Sequence, residues 1–305
     1  MSAPAIEDLP AGIAARWAVP GDVQAITAII AAGEEAHDGV AEIDPADVEQ
    51  WLGIAGEHGT IVLEEGVRLV GWATVIGARA EAQVDPDEVG RGLGSALLAW
   101  TEARARDLGE ARVRQTVSDA DARAGELFRS RGYEVDYSAW PLGMTMGDSP
   151  PEAGVPDGIT IRAYKPADAP AVYEVIEEGF SGLPGRGPQS YERWRAVVLD
   201  HAAFAPAMSR VALDGRRIVG AAIAYDYAGA PEGWVQQVAT AVSHRRRGIG
   251  RALIESSFAG FHAAGRRQVG LSTDSRTGAL DLYERIGLRV KRSFTAWTKE
   301  LAARG

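Results

Sequence analysis

The ten residues from Arg245 to Ile254 carry the clearest chemical signal in the chain. Three arginines run into Gly248-Ile249-Gly250, and an apolar helical pattern follows at once. The first N–H groups of a helix have no acceptor within the helix and carry partial positive charge. Glycines let an anion approach the backbone closely, and arginines add full charges and forked donors. We therefore expect a helix N-terminus here that binds the pyrophosphate of a cofactor.

The bulk composition limits the classes of protein that this chain can belong to. Its 305 residues are 46% hydrophobic and 24% charged, which predicts a globular protein of about two domains. No apolar run of about 18 residues occurs, and the N-terminus lacks the pattern of a signal peptide. The absence of cysteine excludes disulfides, thiol nucleophiles and thiolate metal sites. The five histidines lack metal-ligand spacing, so we expect no metal. Without an apolar run, a signal peptide or cysteine, we expect a cytoplasmic protein with no membrane partner.

Charge is distributed unevenly along the chain. Residues 1–150 contain 26 Asp and Glu against 11 Lys and Arg, whereas residues 151–305 contain 16 against 21. The net charge of −10 argues against a nucleic-acid partner. The basic half contains the arginine–glycine turn, as expected if this half binds a polyanionic cofactor.

The same order of features occurs twice, on either side of a stretch rich in proline and glycine at residues 147–158. Each copy has a first strand, a turn in which an Asp caps a helix, a hairpin, a glycine turn that opens a helix, and a later helix. The matched pairs are Arg16 and Arg162, Asp22 and Asp168, Gly92 and Gly248, and Gly132 and Gly287. The repeat predicts two copies of one α/β domain, at residues 1–146 and 159–305, joined by a linker at 147–158.

These residues resemble the GNAT superfamily of acetyl-CoA-dependent N-acetyltransferases. Residues 245–250 match its [R/Q]-x-x-G-x-[G/A] turn, and a later A-x-x-x-Y-x-x-x-G-[F/L] pattern matches Ala279, Tyr283, Gly287 and Leu288. The resemblance covers nearly the whole chain, once per half. It implies two tandem domains of the α/β class (α+β type). Each would be a mixed, mostly antiparallel sheet with a splay between its fourth and fifth strands and helices on both faces.

The resemblance also implies where acetyl-CoA binds. The pantetheine arm would lie between a fourth strand at Trp234–Thr240 and a fifth strand at Gln268–Thr273, and the pyrophosphate would lie on the turn that follows the fourth strand. The cofactor-binding residues implied in this way are Val238, Ala239, Thr240, Arg245, Arg246, Arg247, Gly248, Ile249, Gly250 and Arg251.

The chemistry implied by the resemblance is direct attack of an amine on the thioester carbonyl. A backbone N–H of the fourth strand, that of Val238, would polarise the carbonyl, and Tyr283 would protonate the departing thiolate. Asp226 and Asp274, which follow the third and fifth strands, are both candidates for the base that takes the proton of the amine.

The first half departs from this pattern at two positions. Val89 replaces the Arg or Gln of the motif, with Asp87 and Glu88 beside it, and Phe128 occupies the tyrosine position and cannot donate a proton. We expect the first domain to be catalytically degenerate. It would either still bind acetyl-CoA or only shape the acceptor cleft.

The leading hypothesis is an acetyl-CoA-dependent N-acetyltransferase that acts on the primary amine of a small molecule, as a monomer or a homodimer. The tandem architecture resembles mycothiol synthases, which makes that subfamily one alternative. An aminoglycoside-type acetyltransferase is another, because an acidic first domain would attract polyamine-like acceptors. A non-catalytic protein that binds or senses acyl-CoA is an alternative of a different class.

Overall fold

The computed structural model describes residues 4–152, 154–184 and 186–302; residues 1–3, 153, 185 and 303–305 lie outside the description. In chain order the strands are β1 (Ile13–Trp17), β2 (Thr60–Glu65), β3 (Arg68–Ile76), β4 (Arg79–Val84), β5 (Arg112–Ser118), β6 (Glu134–Thr145), β7 (Ile159–Ala163), β8 (Arg210–Asp214), β9 (Arg217–Tyr225), β10 (Glu232–Thr240), β11 (Gln268–Asp274), β12 (Arg289–Val290) and β13 (Phe294–Glu300). The helices are α1 (Val23–Asp38), α2 (Pro45–Ala55), α3 (Leu93–Asp107), α4 (Ala122–Ser130), α5 (Ala169–Phe180), α6 (Tyr191–Val198), α7 (Ile249–Ala263) and α8 (Leu280–Ile286).

The chain forms two compact units. The first consists of Met1–Ser138 together with Arg292–Gly305, and the second is Ala139–Lys291. In the second unit β7, β8, β9 and β10 pair antiparallel in that order, β10 pairs parallel with β11, and β11 pairs antiparallel with residues 139–145 of β6. This is the mixed, mostly antiparallel sheet that the resemblance to the GNAT superfamily implies.

Separate apolar clusters cover the two faces of the second sheet. On one face, α7 and α8 bury a cluster that includes Leu253, Phe258 and Tyr283. On the other face, α5 and α6 bury a cluster that includes Ile176 and Trp194. Most of both faces is therefore buried, which leaves the gaps and ends of the sheet as the places for a site.

The first unit repeats this plan. Strands β1 to β4 pair antiparallel, β4 and β5 are parallel neighbours, and β13 pairs antiparallel with β5 from Phe294 opposite Ser118 to Glu300 opposite Arg112. One face carries an apolar cluster under α3 and α4, and the other carries a cluster under α1 and α2.

The boundaries of the units differ from the contiguous halves expected from the sequence. Residues 139–145 of β6 complete the second sheet, and β13 completes the first sheet, so each sheet ends on a strand from the other half of the sequence. Lys299 of β13 is held in the first unit by an ion pair of 2.9 Å with Glu102 of α3. The two strands occupy the same place in the repeat, so the sequence pattern alone could not show which β-strand pairs with which. Described residues of 147–158 are neither helix nor strand.

The role expected for the turn aspartates also differs. Asp22 and Asp168 make no side-chain cap to α1 or α5. Instead the carboxylate of Asp168 accepts the backbone N–H of Lys165 at 2.8 Å and two bonds from the guanidinium of Arg162, at 2.6 and 2.8 Å. The repeat therefore preserves an Arg–Asp pair that ties the first strand of each unit to the turn behind it.

Candidate active site

The gap between β10 and β11 is the central feature of the site. The two strands are in parallel register from Glu232 opposite Gln268 to Val235 opposite Leu271, and their pairing stops there. Strand β10 continues to Thr240 and stays paired with β9 on its other side, while β11 continues to Asp274 and stays paired with β6. The splay expected between the fourth and fifth strands is therefore present.

The direction of the backbone groups shows what the gap offers to a ligand. The N–H of Ala241 donates to the carbonyl of Val219, on the β9 side, at 2.9 Å. Because backbone groups alternate along a strand, those of Ala239 also point to β9, and those of Val238 and Thr240 point into the gap. Val238 and Thr240 thus face the position predicted for pantetheine, whereas Ala239, which was expected to bind cofactor as well, uses its backbone in the ladder with β9.

The turn after β10 presents a row of backbone donors. The first helical bond of α7 runs from the N–H of Ala252 to the carbonyl of Gly248, at 3.0 Å. Within the described part of the chain, the N–H groups of residues 246–251 have no acceptor. Gly248 has a φ of +83° and Arg246 a φ of +61°, so two residues of the turn lie in the left-handed region. Alternation of this kind produces a concave array of N–H groups that suits an anion.

The arginine side chains around this turn have different surroundings. Arg245 donates from Nη2 to the carbonyl of Gly179 at 3.0 Å, and Arg251 forms an ion pair with Glu255 at 2.8 Å. Arg247 reaches only to 3.5 Å from the carbonyl of Asp157. Arg246 is exposed and forms no ion pair with any residue that the structure describes. Arg246 and Arg247 are therefore the side chains best able to meet an anion on the turn.

Tyr283 lies on α8 and is 6% exposed. Its ring packs in the apolar cluster under α7 and α8, and its hydroxyl makes no hydrogen bond to a described residue. Burial, reinforced by the negative charge of Asp274, raises the pKa of Tyr283 to about 12. The phenol is therefore protonated throughout the neutral range and can act as a donor.

Both candidate bases are held in ion pairs. Asp274 accepts from Nη2 of Arg276 at 2.7 Å, from Nε at 3.1 Å and from the backbone N–H of Arg276 at 2.9 Å. Asp226 pairs with Arg266 at 2.7 Å and follows Tyr225, which lies opposite Trp234 where β10 and β11 are still paired. Neither carboxylate is an isolated base, and Asp226 lies at the closed end of the splay.

Two glutamines of β10 accept hydrogen bonds from the indoles of Trp194 and Trp234. The register of β10 shifts between Val235 and Gln237, which is a β-bulge. Gln236 accepts from Nε1 of the Trp234 indole, and Gln237 accepts from Nε1 of the Trp194 indole, each at 3.0 Å. A bulge in Gln-Gln leaves no mark in the hydrophobic pattern, so these contacts could not be found without the structure.

The matching turn of the first unit keeps the backbone conformation but not the chemistry. Gly90 and Gly92 have φ values of +95° and +87°. The cation of this turn, Arg91, is paired with Glu65 at 2.9 Å and with Glu88. Phe128, at the tyrosine position, stacks on Trp297 with ring centroids 5.9 Å apart. The described residues of this turn therefore keep the bend of the backbone, while its arginine is ion-paired and the tyrosine position holds no hydroxyl.

The described residues contain neither a cluster suited to a metal ion nor a helix suited to a membrane. No group of three or more His, Asp or Glu there could hold a metal ion. Among the described helices, none combines the length and apolar character needed to cross a membrane.

Comparisons with known proteins agree with this geometry. A family model described as an acetyltransferase (GNAT) domain matches residues 206–289, and one described as an acetyltransferase (GNAT) family matches residues 27–133. A mycothiol acetyltransferase of Nocardia farcinica is 30% identical over 295 residues, which cover 90% of this chain and 94% of that protein. One of Nocardioides is 32% identical over 206 residues, covering 65% of this chain and 67% of that protein.

A solved structure extends the agreement to the whole fold. The GCN5-related N-acetyltransferase of Sphaerobacter thermophilus superimposes with a TM-score of 0.80 at 31% identity, covering 96% of this chain and 97% of that one. One GNAT domain is matched in each half, relatives align along almost the full length, and the second unit has the splayed strands and the donor-rich turn. The chain therefore belongs to the GNAT acetyltransferase family and is a tandem N-acetyltransferase.

Proposed function

We propose that the second unit binds acetyl-CoA and transfers its acetyl group directly to the primary amine of a small molecule. The observation that carries this proposal is the continuity of two sets of backbone groups that lie outside the ladder between β9 and β10. Val238 and Thr240 face the gap, and the N–H groups of residues 246–251 follow at the end of the same strand. An extended chain with amides can pair with the first set, and a diphosphate with the second. The pantetheine arm and pyrophosphate of coenzyme A supply these groups in this order.

The transfer brings together the amine, the thioester, a donor for the carbonyl oxygen and a donor for the departing sulfur. The amine nitrogen forms a bond to the thioester carbon, and the carbon–sulfur bond then breaks. We assign the N–H of Val238 to the carbonyl oxygen, where negative charge develops. We assign the hydroxyl of Tyr283 to the departing sulfur, since its pKa of about 12 keeps it protonated. The proton lost by the amine goes to solvent.

The surroundings of the gap support water as the acceptor of that proton. Residues 236–240 of β10, Gln-Gln-Val-Ala-Thr, carry no titratable side chain. Asp226 and Asp274 each form an ion pair with an arginine. An amine that must lose its proton without a strong base reacts best when its own pKa is low. This favours an α-amino group, with a pKa of about 7.7–8.0, over a lysine-type amine at about 10.4.

A mycothiol-type acceptor is the second, narrower candidate. It is favoured by relatives named mycothiol acetyltransferases that align over nine-tenths of the chain. Trp234 and Gln236 beside the gap could contact such a polar acceptor through an aromatic face and an amide. The aminoglycoside-type alternative has only the acidic first half in its favour.

A thiol-release assay tests the proposal. Purified protein with acetyl-CoA is screened against matched α-amines, amino sugars and lysine-type amines, with acetyl-CoA affinity measured by calorimetry. We expect turnover with low-pKa amines, and a kcat/KM that rises with pH up to the pKa of the acceptor amine. Saturable acetyl-CoA binding without thiol release from any amine would contradict the acceptor assignment, and absence of binding would contradict the cofactor site.

A further inference from the structure

The turn proposed to bind pyrophosphate is supported from outside by the end of α5. Glu178 accepts the backbone N–H of Val242 at 3.2 Å, and Arg245 donates to the carbonyl of Gly179 at 3.0 Å. Gly179 also lets α5 approach β10, because a Cβ at this position would lie 2.7 Å from Cβ of Ala239. Two hydrogen bonds and one close contact thus connect the end of α5 to the segment 239–245. We call the Glu178–Val242 and Arg245–Gly179 bonds the α5 strut.

The residue directly after the strut has an unfavourable backbone conformation. Arg246 has a φ of +61°, in a region that a residue with a Cβ occupies at a cost of about 1 kcal/mol relative to glycine. Such conformations persist where surrounding contacts determine them. The strut contacts the chain at Val242 and Arg245, immediately before this residue, so it is placed to determine that conformation.

The first unit provides an internal comparison. Its corresponding turn has nearly the same backbone: Val89 has φ −66° and ψ 141°, against φ −63° and ψ 158° for Arg245. At the position of Arg246 it has Gly90, which adopts positive φ without cost. At the position of Glu178 it has Ala32, and Val89 has no side-chain donor. The copy with glycine lacks both bonds of the strut, and the copy with arginine has both.

We propose that Glu178 and Arg245 are positioning residues, which hold the strained turn at Arg246 so that its N–H groups face the cofactor. This inference rests on the proposed cofactor site and assigns Arg245 a different task from the charge contact that the motif suggests. The guanidinium of Arg245 acts through the carbonyl of Gly179. The carboxylate of Glu178 acts through the N–H of Val242, although its negative charge lies next to a site for an anion.

The carboxylate of Glu178 has two effects on acetyl-CoA affinity that a pair of variants can separate: its negative charge and its hydrogen bond. Glu178→Gln and Glu178→Leu both remove the carboxylate charge, but only glutamine keeps an oxygen that can accept the N–H of Val242. If charge alone mattered, both variants would bind acetyl-CoA more tightly than the parent. If the strut positions the turn, Glu178→Leu binds about three- to tenfold more weakly than Glu178→Gln, the equivalent of one lost hydrogen bond.

The experiment measures the acetyl-CoA Kd by calorimetry, and kcat and KM by thiol release, on the full chain. We expect the leucine variant to raise KM for acetyl-CoA while kcat changes less than twofold. In an Arg246→Gly background, the glutamine and leucine variants should bind equally, because glycine needs no support. Because Glu178 is exposed, both variants should fold, which a thermal melt checks.

Two results would contradict the proposal that the α5 strut positions the turn. One is a leucine variant that binds as tightly as the glutamine variant, and the other is a difference that persists in the Arg246→Gly background. Either result leaves the proposed function intact as long as the parent protein binds acetyl-CoA. Failure of the parent to bind would instead remove the cofactor site itself.

Discussion

Replacing Tyr283 with phenylalanine separates a chemical role of its hydroxyl from a packing role of its ring. The ring is buried in the cluster under α7 and α8, and phenylalanine keeps those contacts. The hydroxyl has no hydrogen-bond partner among the described residues, so its removal leaves no buried group unpaired. We therefore expect the free energy of unfolding to change by no more than about 1 kcal/mol.

The expected loss of rate follows from two pKa values. Burial raises the pKa of Tyr283 to about 12, whereas a free thiol has a pKa near 8.5. Complete proton transfer from the phenol to a free thiolate is therefore uphill by about 3.5 pKa units, or roughly 5 kcal/mol. The hydroxyl must contribute mainly as a hydrogen-bond donor while charge develops on sulfur. Removing one such donor from a buried site costs about 10²- to 10³-fold in kcat, and we expect the lower figure because a thiolate is a good leaving group.

The assay is steady-state thiol release at saturating acetyl-CoA and acceptor, with the acetyl-CoA Kd measured separately. For Tyr283→Phe we expect kcat to fall about 10²-fold and the Kd to stay within about twofold. Tyr133→Phe is the matched control, because Tyr133 is also a buried tyrosine but lies in the first unit. That variant should keep the parental kcat.

The pH profile gives an independent check on the same group. The folded-state pKa of Tyr283 is raised, so the donor is present at all pH values below about 12 and is lost only above it. The kcat of the parent should therefore show no alkaline fall between pH 7 and pH 10. An unchanged kcat in Tyr283→Phe would refute the donor role, and a fall in kcat centred below pH 10 would refute the burial argument.

Three further predictions concern the two units. Gly248→Glu should abolish acetyl-CoA binding in calorimetry, because it places a side chain at a φ of +83° and a carboxylate on the donor row; Gly92→Glu in the first unit should leave kcat unchanged. Asp168→Asn should lower the unfolding free energy by about 1–3 kcal/mol at pH 7. Bonding to Arg162 lowers the pKa of Asp168 below 3.8, so in acid denaturation series this difference should persist above that value and vanish as pH falls through the lowered pKa. A chain ending at Lys291 should lose cooperative melting of the first unit while still binding acetyl-CoA, since it lacks β13 but keeps every strand of the second sheet; retention of both melting transitions would contradict the strand assignment.

The sequence predicted features that depend on residues near each other in the chain better than features that depend on residues far apart. The hairpins β2–β3 and β8–β9 and the helix starts at Val23 and Ala169 follow from local patterns, and the existence of a splay between β10 and β11 follows from the resemblance. The pairing of β13 with β5 could not be predicted, because β6 and β13 have equivalent places in the repeat. The pairing of Asp274 with Arg276 depends on side-chain direction in a loop, which periodicity does not encode.

The two units show why the glycines of this motif are weaker indicators of catalysis than the side chains around them. Gly90 and Gly92 keep the donor geometry of the first turn, because positive φ there shapes the entry to α3 whether or not a ligand binds. Side chains are under no such constraint. In the first unit Arg91 is neutralised by Glu65 and Glu88, and the tyrosine position holds a stacked phenylalanine. The exposed Arg246, which makes no ion pair with any described residue, and the hydroxyl of Tyr283 therefore distinguish the second unit as the one to test for turnover.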